Sequence, residues 1–169
     1  MVMRKIKIRL LGEAGQALVE FALVTLFVIL PVTFGIIDGG ILFYKWVTLN
    51  NGAREGARTG AIFHYVGVDP SVGEVDAARE GVVKDAVDAT VAPLVDVGPD
   101  RPADWAVTYP EGDPTPYDVY RSGDRVTVTI THTHAPLVGL VIGLDKIDLS
   151  AAATMRIEPG GAGPTPTPP

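Results

Sequence analysis

The sequence predicts an α+β fold: one long N-terminal helix as a spine, then a small head with a further helix and an antiparallel sheet. Three patterns carry that expectation. A stretch without charge runs from Phe21 to Ile37, and the chain goes on into the low 60s with no proline between Pro31 and Pro70. Apolar or small residues at Val75, Ala78, Val82, Val83, Ala86, Val87 and Val91 recur at helical spacing. Val126, Val128 and Ile130 alternate with Thr127, Thr129 and Thr131, the two-residue period of a strand with one buried face.

The N-terminal pattern divides in two. Residues 1–15 form a basic leader with Arg4, Lys5, Lys7 and Arg9, and the apolar run that follows, begun by Ala17 to Val19, is long enough to cross a bilayer. Basic residues before an apolar run place the N-terminus in the cytoplasm and the head outside it. A secretory signal removed whole would end in a short A-x-A-like site, whereas Gly35-Ile36-Ile37-Asp38-Gly39-Gly40 stands here. One helix over 16–63 would be about 70 Å long, more than twice a bilayer, so its second half must leave the membrane. Tyr44 and Trp46 fall where an interfacial aromatic belt would lie. Pro31 lacks the N–H that would bond the Phe27 carbonyl, so the helix should kink or open about one turn earlier.

Gly52, Gly56 and Gly60 recur every four residues beside Ala53, Ala57 and Ala61, and Gly35 and Gly39 make a similar pair lower down. Each glycine costs a helix about 1 kcal/mol relative to alanine, so the stripe is read as a packing face where another backbone comes close. Arg54 and Arg58, one turn apart around Glu55, are either ion-pair contacts to an acidic partner or an exposed helix face.

The head is assigned to 64–158. After a turn at His64 to Pro70, a helix is expected over Val72 to Val91. Pro93, Pro99, Pro102, Pro110, Pro114 and Pro116 then exclude helix and leave short strands, the best being Trp105 to Tyr109. Arg125 to His134 and Ile147 to Ile157 are expected to pair, with the outer half of the long helix covering their apolar face. Residues 159–169 form a low-complexity Gly/Pro/Thr tail.

Composition limits the chemistry. A formal charge of -6 and a pI near 4.9 argue against nucleic acid as a partner, and the absence of cysteine removes thiol chemistry and disulfides. His132 and His134 have an H-x-H spacing that zinc sites use, but they continue the apolar face of the strand and no third ligand is near, so a hydrogen-bonded pair is expected. Asp113, Asp118 and Asp124 lack EF-hand spacing and read as a solvated loop. No nucleophile elbow or phosphate loop is present, so neither an active site, a metal nor a cofactor is expected.

Gly15-Gln16-Ala17-Leu18-Val19-Glu20-Phe21-Ala22-Leu23, the helix with Pro31, and Asn51-Gly52-Ala53-Arg54-Glu55-Gly56-Ala57-Arg58 together resemble the TadE-like family, pseudopilins of the tight-adherence (Tad) pilus system. The closing segment, Ile147 to Glu158, resembles the end of those domains more weakly. The resemblance implies a pilin-like, non-enzymatic minor subunit, cut by a prepilin peptidase between Gly15 and Gln16. It also implies that Glu20, fifth in the mature chain and next to Phe21, pairs with the new amine of Gln16 on a neighbouring subunit during assembly. A carboxylate within an apolar run is tolerable when paired, which agrees with that role. Other pilin or pseudopilin subunits, the peptidase, an inner-membrane assembly platform and membrane lipid are the implied partners. The alternative is an uncut, single-pass anchored module whose head binds an extracytoplasmic ligand.

Overall fold

A helix forms wherever the N-terminal half lacks a breaker, and its one defect lies at the proline. The computed structural model describes residues 13–67, 69–95, 104–112, 118–137, 139 and 143–159. Helix α1 covers Glu13–Val24, a π-helical turn covers Thr25–Ile29, and α2 covers Leu30–Ile62. These three segments run on as a single spine helix. Pro31 offers no N–H to the carbonyl four residues back, and the preceding turn is wound wide, with the Leu30 N–H bonded to the Thr25 carbonyl. The Thr33 hydroxyl donates to the Ile29 carbonyl at 2.8 Å.

Helix α3, Val72–Val95, starts at a capping box. The Ser71 N–H and hydroxyl both reach Glu74 Oε2 at 2.8 Å, and the Glu74 N–H returns to the Ser71 hydroxyl at 3.3 Å. This helix corrects the expected stop, because it passes through Pro93 to Val95. A proline in the last turn removes only one hydrogen bond, and continuing the helix seats Leu94 in the core at 1% exposure.

Strands β1 (Asp104–Thr108), β2 (Arg125–His134) and β3 (Ile147–Arg156) form one antiparallel sheet in the order β1-β2-β3. The first strand begins and ends one residue earlier than expected, and the third stops one residue short of Ile157. Ile157 instead exchanges backbone hydrogen bonds with the turn before β2, through Asp124 and Gly123, and is itself buried. Residues 160–169 of the expected tail, residues 1–12 of the expected leader and the prolines at 99, 102, 114 and 116 lie outside the described residues.

The sheet lays one face on the spine. Val126, Val128 and Ile130 are fully buried, as are Leu49, Ala53 and Ala57 of α2 and Val75, Val83 and Val87 of α3. The three glycines of the upper stripe fix how closely these layers approach. A Cβ on Gly56 would stand 2.7 Å from Val87 Cγ2 and 3.3 Å from Val128 Cγ1, and one on Gly60 would stand 2.9 Å from Val83 Cγ2. A Cβ on Gly52 would lie 3.0 Å from Val91 Cγ1 and 3.1 Å from Ile130 Cδ1. The stripe therefore receives the head of its own chain, with β2 running antiparallel to the spine. Burial of this order contributes about 25 cal/mol per Å² of apolar surface, which makes the helix–head contact the core of the fold.

Candidate functional site

The spine is covered on one side and only over part of its length. From Gly15 to Ile37 none of its described side chains is buried, and Leu18, Phe21, Phe27 and Ile36 are each at least two-thirds exposed. From Asp38 onward one line of residues turns inward: Asp38, Lys45, Leu49, Gly52, Ala53, Gly56, Ala57, Gly60 and Ala61. The helix Gly15–Ile62 is long and apolar enough to cross a membrane, and the bare part fits a single-pass anchor.

Within the bare part, Gly15 and Gln16 lie in the first turns of α1, and Glu20 and Phe21 follow on exposed positions. Glu20 makes no ion pair among the described residues. Gly35 and Gly39 are exposed, and a Cβ on either would meet nothing within 4 Å. These two glycines do not join the packing of Gly52, Gly56 and Gly60, although the sequence placed them in one class. Arg54 and Arg58 both point to solvent. Arg58 forks onto Glu55 through Nε at 3.0 Å and Nη2 at 2.6 Å, and that pairing holds the Glu55 carboxyl below its ordinary pKa.

Where the bare and covered parts meet, the helix carries two buried charged residues that the sequence reading passed over. Lys45, 1% exposed, places Nζ 3.1 Å from Nε2 of His132 and 3.1 Å from Nδ1 of His134. The expected histidine pair is thus bridged by lysine. The lysine Nζ carries enough N–H groups to serve both ring nitrogens at once. The lysine occupies the position between the rings, and no cluster of three metal-ligating residues is found among the described residues. Two turns below, Asp38, 3% exposed, accepts the Leu137 N–H at 2.9 Å. The signal that could have found these residues is spacing: Asp38, Lys45 and Gly52 stand seven apart and so share the helix face that holds the glycines.

A second polar cluster closes the far end of the head. Asp76 binds Arg121 through Nε at 3.0 Å and Nη2 at 2.9 Å, and Arg79 through Nη1 at 3.1 Å. Arg121 also lies over the Tyr109 ring, its Cζ 3.9 Å from the centroid. Burial opposes the Arg121 charge, yet the hydrogen bonds and charge of Asp76 keep its pKa above the ordinary value. Burial likewise raises the Tyr109 phenol. Arg121 holds a left-handed backbone, φ 57°, so the turn carrying it is strained to aim the guanidinium inward. Asp124 stands 3.8 Å from Arg121, and its role is to help neutralise that residue; Asp113 lies outside the described residues.

The geometry shows an apolar helix segment left open, a charged residue within it, and a head locked onto the rest of the same helix. No curated protein and no solved structure matches the chain. The family model described as TadE-like protein matches residues 15–58, so the bare segment and most of the covered part of the spine are similar in sequence to that family.

Proposed function

We propose that the chain is a structural, non-enzymatic minor pilin or pseudopilin of a Tad-type pilus, inserted in the cytoplasmic membrane with its head outside and cut between Gly15 and Gln16. The observation that carries this reading is Glu20, an acid exposed on a segment that is otherwise apolar and uncovered by its own head. A carboxylate there is costly in lipid unless another molecule supplies its partner, and the amine of a neighbouring Gln16 has the right charge. The matched segment, 15–58, begins at the residue before the proposed cut. Removal of residues 1–15 would take four basic residues and one acidic residue, leaving 10 and 19 and a formal charge of -9. Copies so acidic repel through their heads, so assembly would run through the bare helix and the platform that gathers it.

The test is the N-terminal residue and intact mass of the protein from membranes of cells with and without prepilin peptidase. A start at Gln16 seen only with the peptidase supports the proposal, and Glu20→Gln should then keep membrane insertion while reducing incorporation into pili. A Met1 start in both strains overturns it in favour of an uncut anchored binding module.

A further inference from the structure

The connection between β2 and β3 brings the head to the level where the spine leaves its bare segment. Strand β2 descends the spine from Val126 opposite Gly60 to the histidines at Lys45, and the next described contact is the hydrogen bond from Leu137 to Asp38. Counting up from Gly15, the 23 residues to Ile37 span roughly 34 Å of helix, about the thickness of the hydrocarbon core. Asp38 therefore marks the upper edge of the hydrocarbon core if the bare segment fills it, and Leu137 is fastened at that edge.

Two exposed leucines of the head, Leu137 and Leu144, belong to this connection. The sequence from Ala135 to Leu144, A-P-L-V-G-L-V-I-G-L, has no charge, whereas Asp145, Lys146 and Asp148 follow at once. Leu137 is 56% and Leu144 41% exposed. Both are held in place by backbone turns: the Gly139 N–H bonds the Pro136 carbonyl at 3.1 Å, and the Gly143 and Leu144 N–H groups bond the Gly139 carbonyl at 2.8 and 3.1 Å. On the spine itself, exposed Phe43, Tyr44 and Trp46 stand within about 12 Å above Asp38, the depth of an interfacial zone. They occupy sides of the helix that the head leaves open, and the leucines occupy the side that the head covers. Apolar side chains thus flank the upper end of the span on the open faces of the helix and, through Leu137 at Asp38, on the covered face, and this continuity with the span names lipid as the occupant.

We infer that the β2–β3 connection is a second membrane contact, in which Leu137 and Leu144 rest in the lipid interface beside the spine. The inference depends on the reading that the bare segment spans the bilayer. Its effect would be to fix the tilt and rotation of the head, since a single helix alone leaves both open.

The chain has no cysteine, so single thiol probes can be placed at will. The full chain carrying Leu137→Cys, Leu144→Cys, Ile29→Cys or Ala152→Cys, labelled with an environment-sensitive fluorophore, is reconstituted into phosphatidylethanolamine–phosphatidylglycerol vesicles with nitroxide lipids at shallow or deep positions. Loss of fluorescence at Leu137 and Leu144 with the shallow nitroxide, at Ile29 with the deep one and at Ala152 with neither is the expected result. Quenching at Ile29 alone overturns the second contact and leaves the span intact. Quenching at none of the four overturns the spanning reading, and the second contact with it. Shielding of the leucine probes that rises with protein-to-lipid ratio and ignores nitroxide assigns the patch to a second copy, which also overturns the inference.

Discussion

Lys45 on the spine and His134 at the end of β2 stand 89 positions apart in sequence, yet Nζ and Nδ1 meet at 3.1 Å in a site closed to solvent. This contact and its twin to His132 join the lower end of the head to the helix by polar groups, where the upper end uses valine against glycine. A buried lysine tolerates no slip along the helix, because any other register would separate its Nζ from both imidazoles.

Lys45→Met removes the donor for both imidazoles. Stability should fall by about 2 kcal/mol, the cost of leaving buried acceptors unserved. Denaturant unfolding of the detergent-solubilised chain measures it. In a background with His132→Leu and His134→Leu the same change should cost markedly less, and equal costs in both backgrounds would deny the coupling.

Gly56→Ala introduces a methyl group where Val87 Cγ2 already stands, at 2.7 Å. Alanine gains helix propensity, about 1 kcal/mol, but crowding in a closed core costs about 1–3 kcal/mol, so the variant should be the less stable. Gly35→Ala, with open space around it, should keep the fold of the head unchanged. Thermal unfolding of the two variants side by side separates crowding from propensity.

Asp76→Asn strips the counter-charge from two arginines of 1% and 5% exposure. A loss of about 3 kcal/mol is expected, as when one partner of a buried pair is removed. Arg121→Lys should cost less but still be measurable, because a lysine cannot fork onto Asp76 or lie flat over Tyr109.

Acid should loosen the head. The Glu74 carboxyl is held below its ordinary 4.5 by the Ser71 backbone and hydroxyl, and the Glu111 carboxyl by Arg125. A folded-state value below the unfolded one means the folded state binds fewer protons, so these groups support folding above pH 4.5 and cease to do so as pH falls through their lowered values. The unfolding midpoint should drop as pH falls below the ordinary carboxylate value of 4.5, and Glu74→Gln should flatten part of that drop.

Periodicity was enough to read the spine, α3 and β2, because each buries one face and repeats its apolar residues accordingly. The glycine stripe was equally legible as a close-packing face, but its partner was not: nothing local says that Gly56 meets Val87 and Val128 of its own head while Gly35 meets nothing. Pro93 misled because a breaker near a helix end costs little when Leu94 has a core to enter. Lys45 stayed hidden in Phe43-Tyr44-Lys45-Trp46, where a lysine among aromatics reads as an interfacial residue, and its histidines lie on another element. Asp76 and Arg121 are likewise joined only by the fold, across 45 positions.

The attachments of the head follow one another along the spine: Val126 at Gly60, Val128 at Gly56, Ile130 at Gly52, the histidines at Lys45 and Leu137 at Asp38. Strand and helix lie side by side over that distance. A pull directed along the helix axis loads all of these attachments in shear at once, whereas a pull across it peels them open singly from one end. The head is therefore held more firmly against a pull along the spine than against sideways prying.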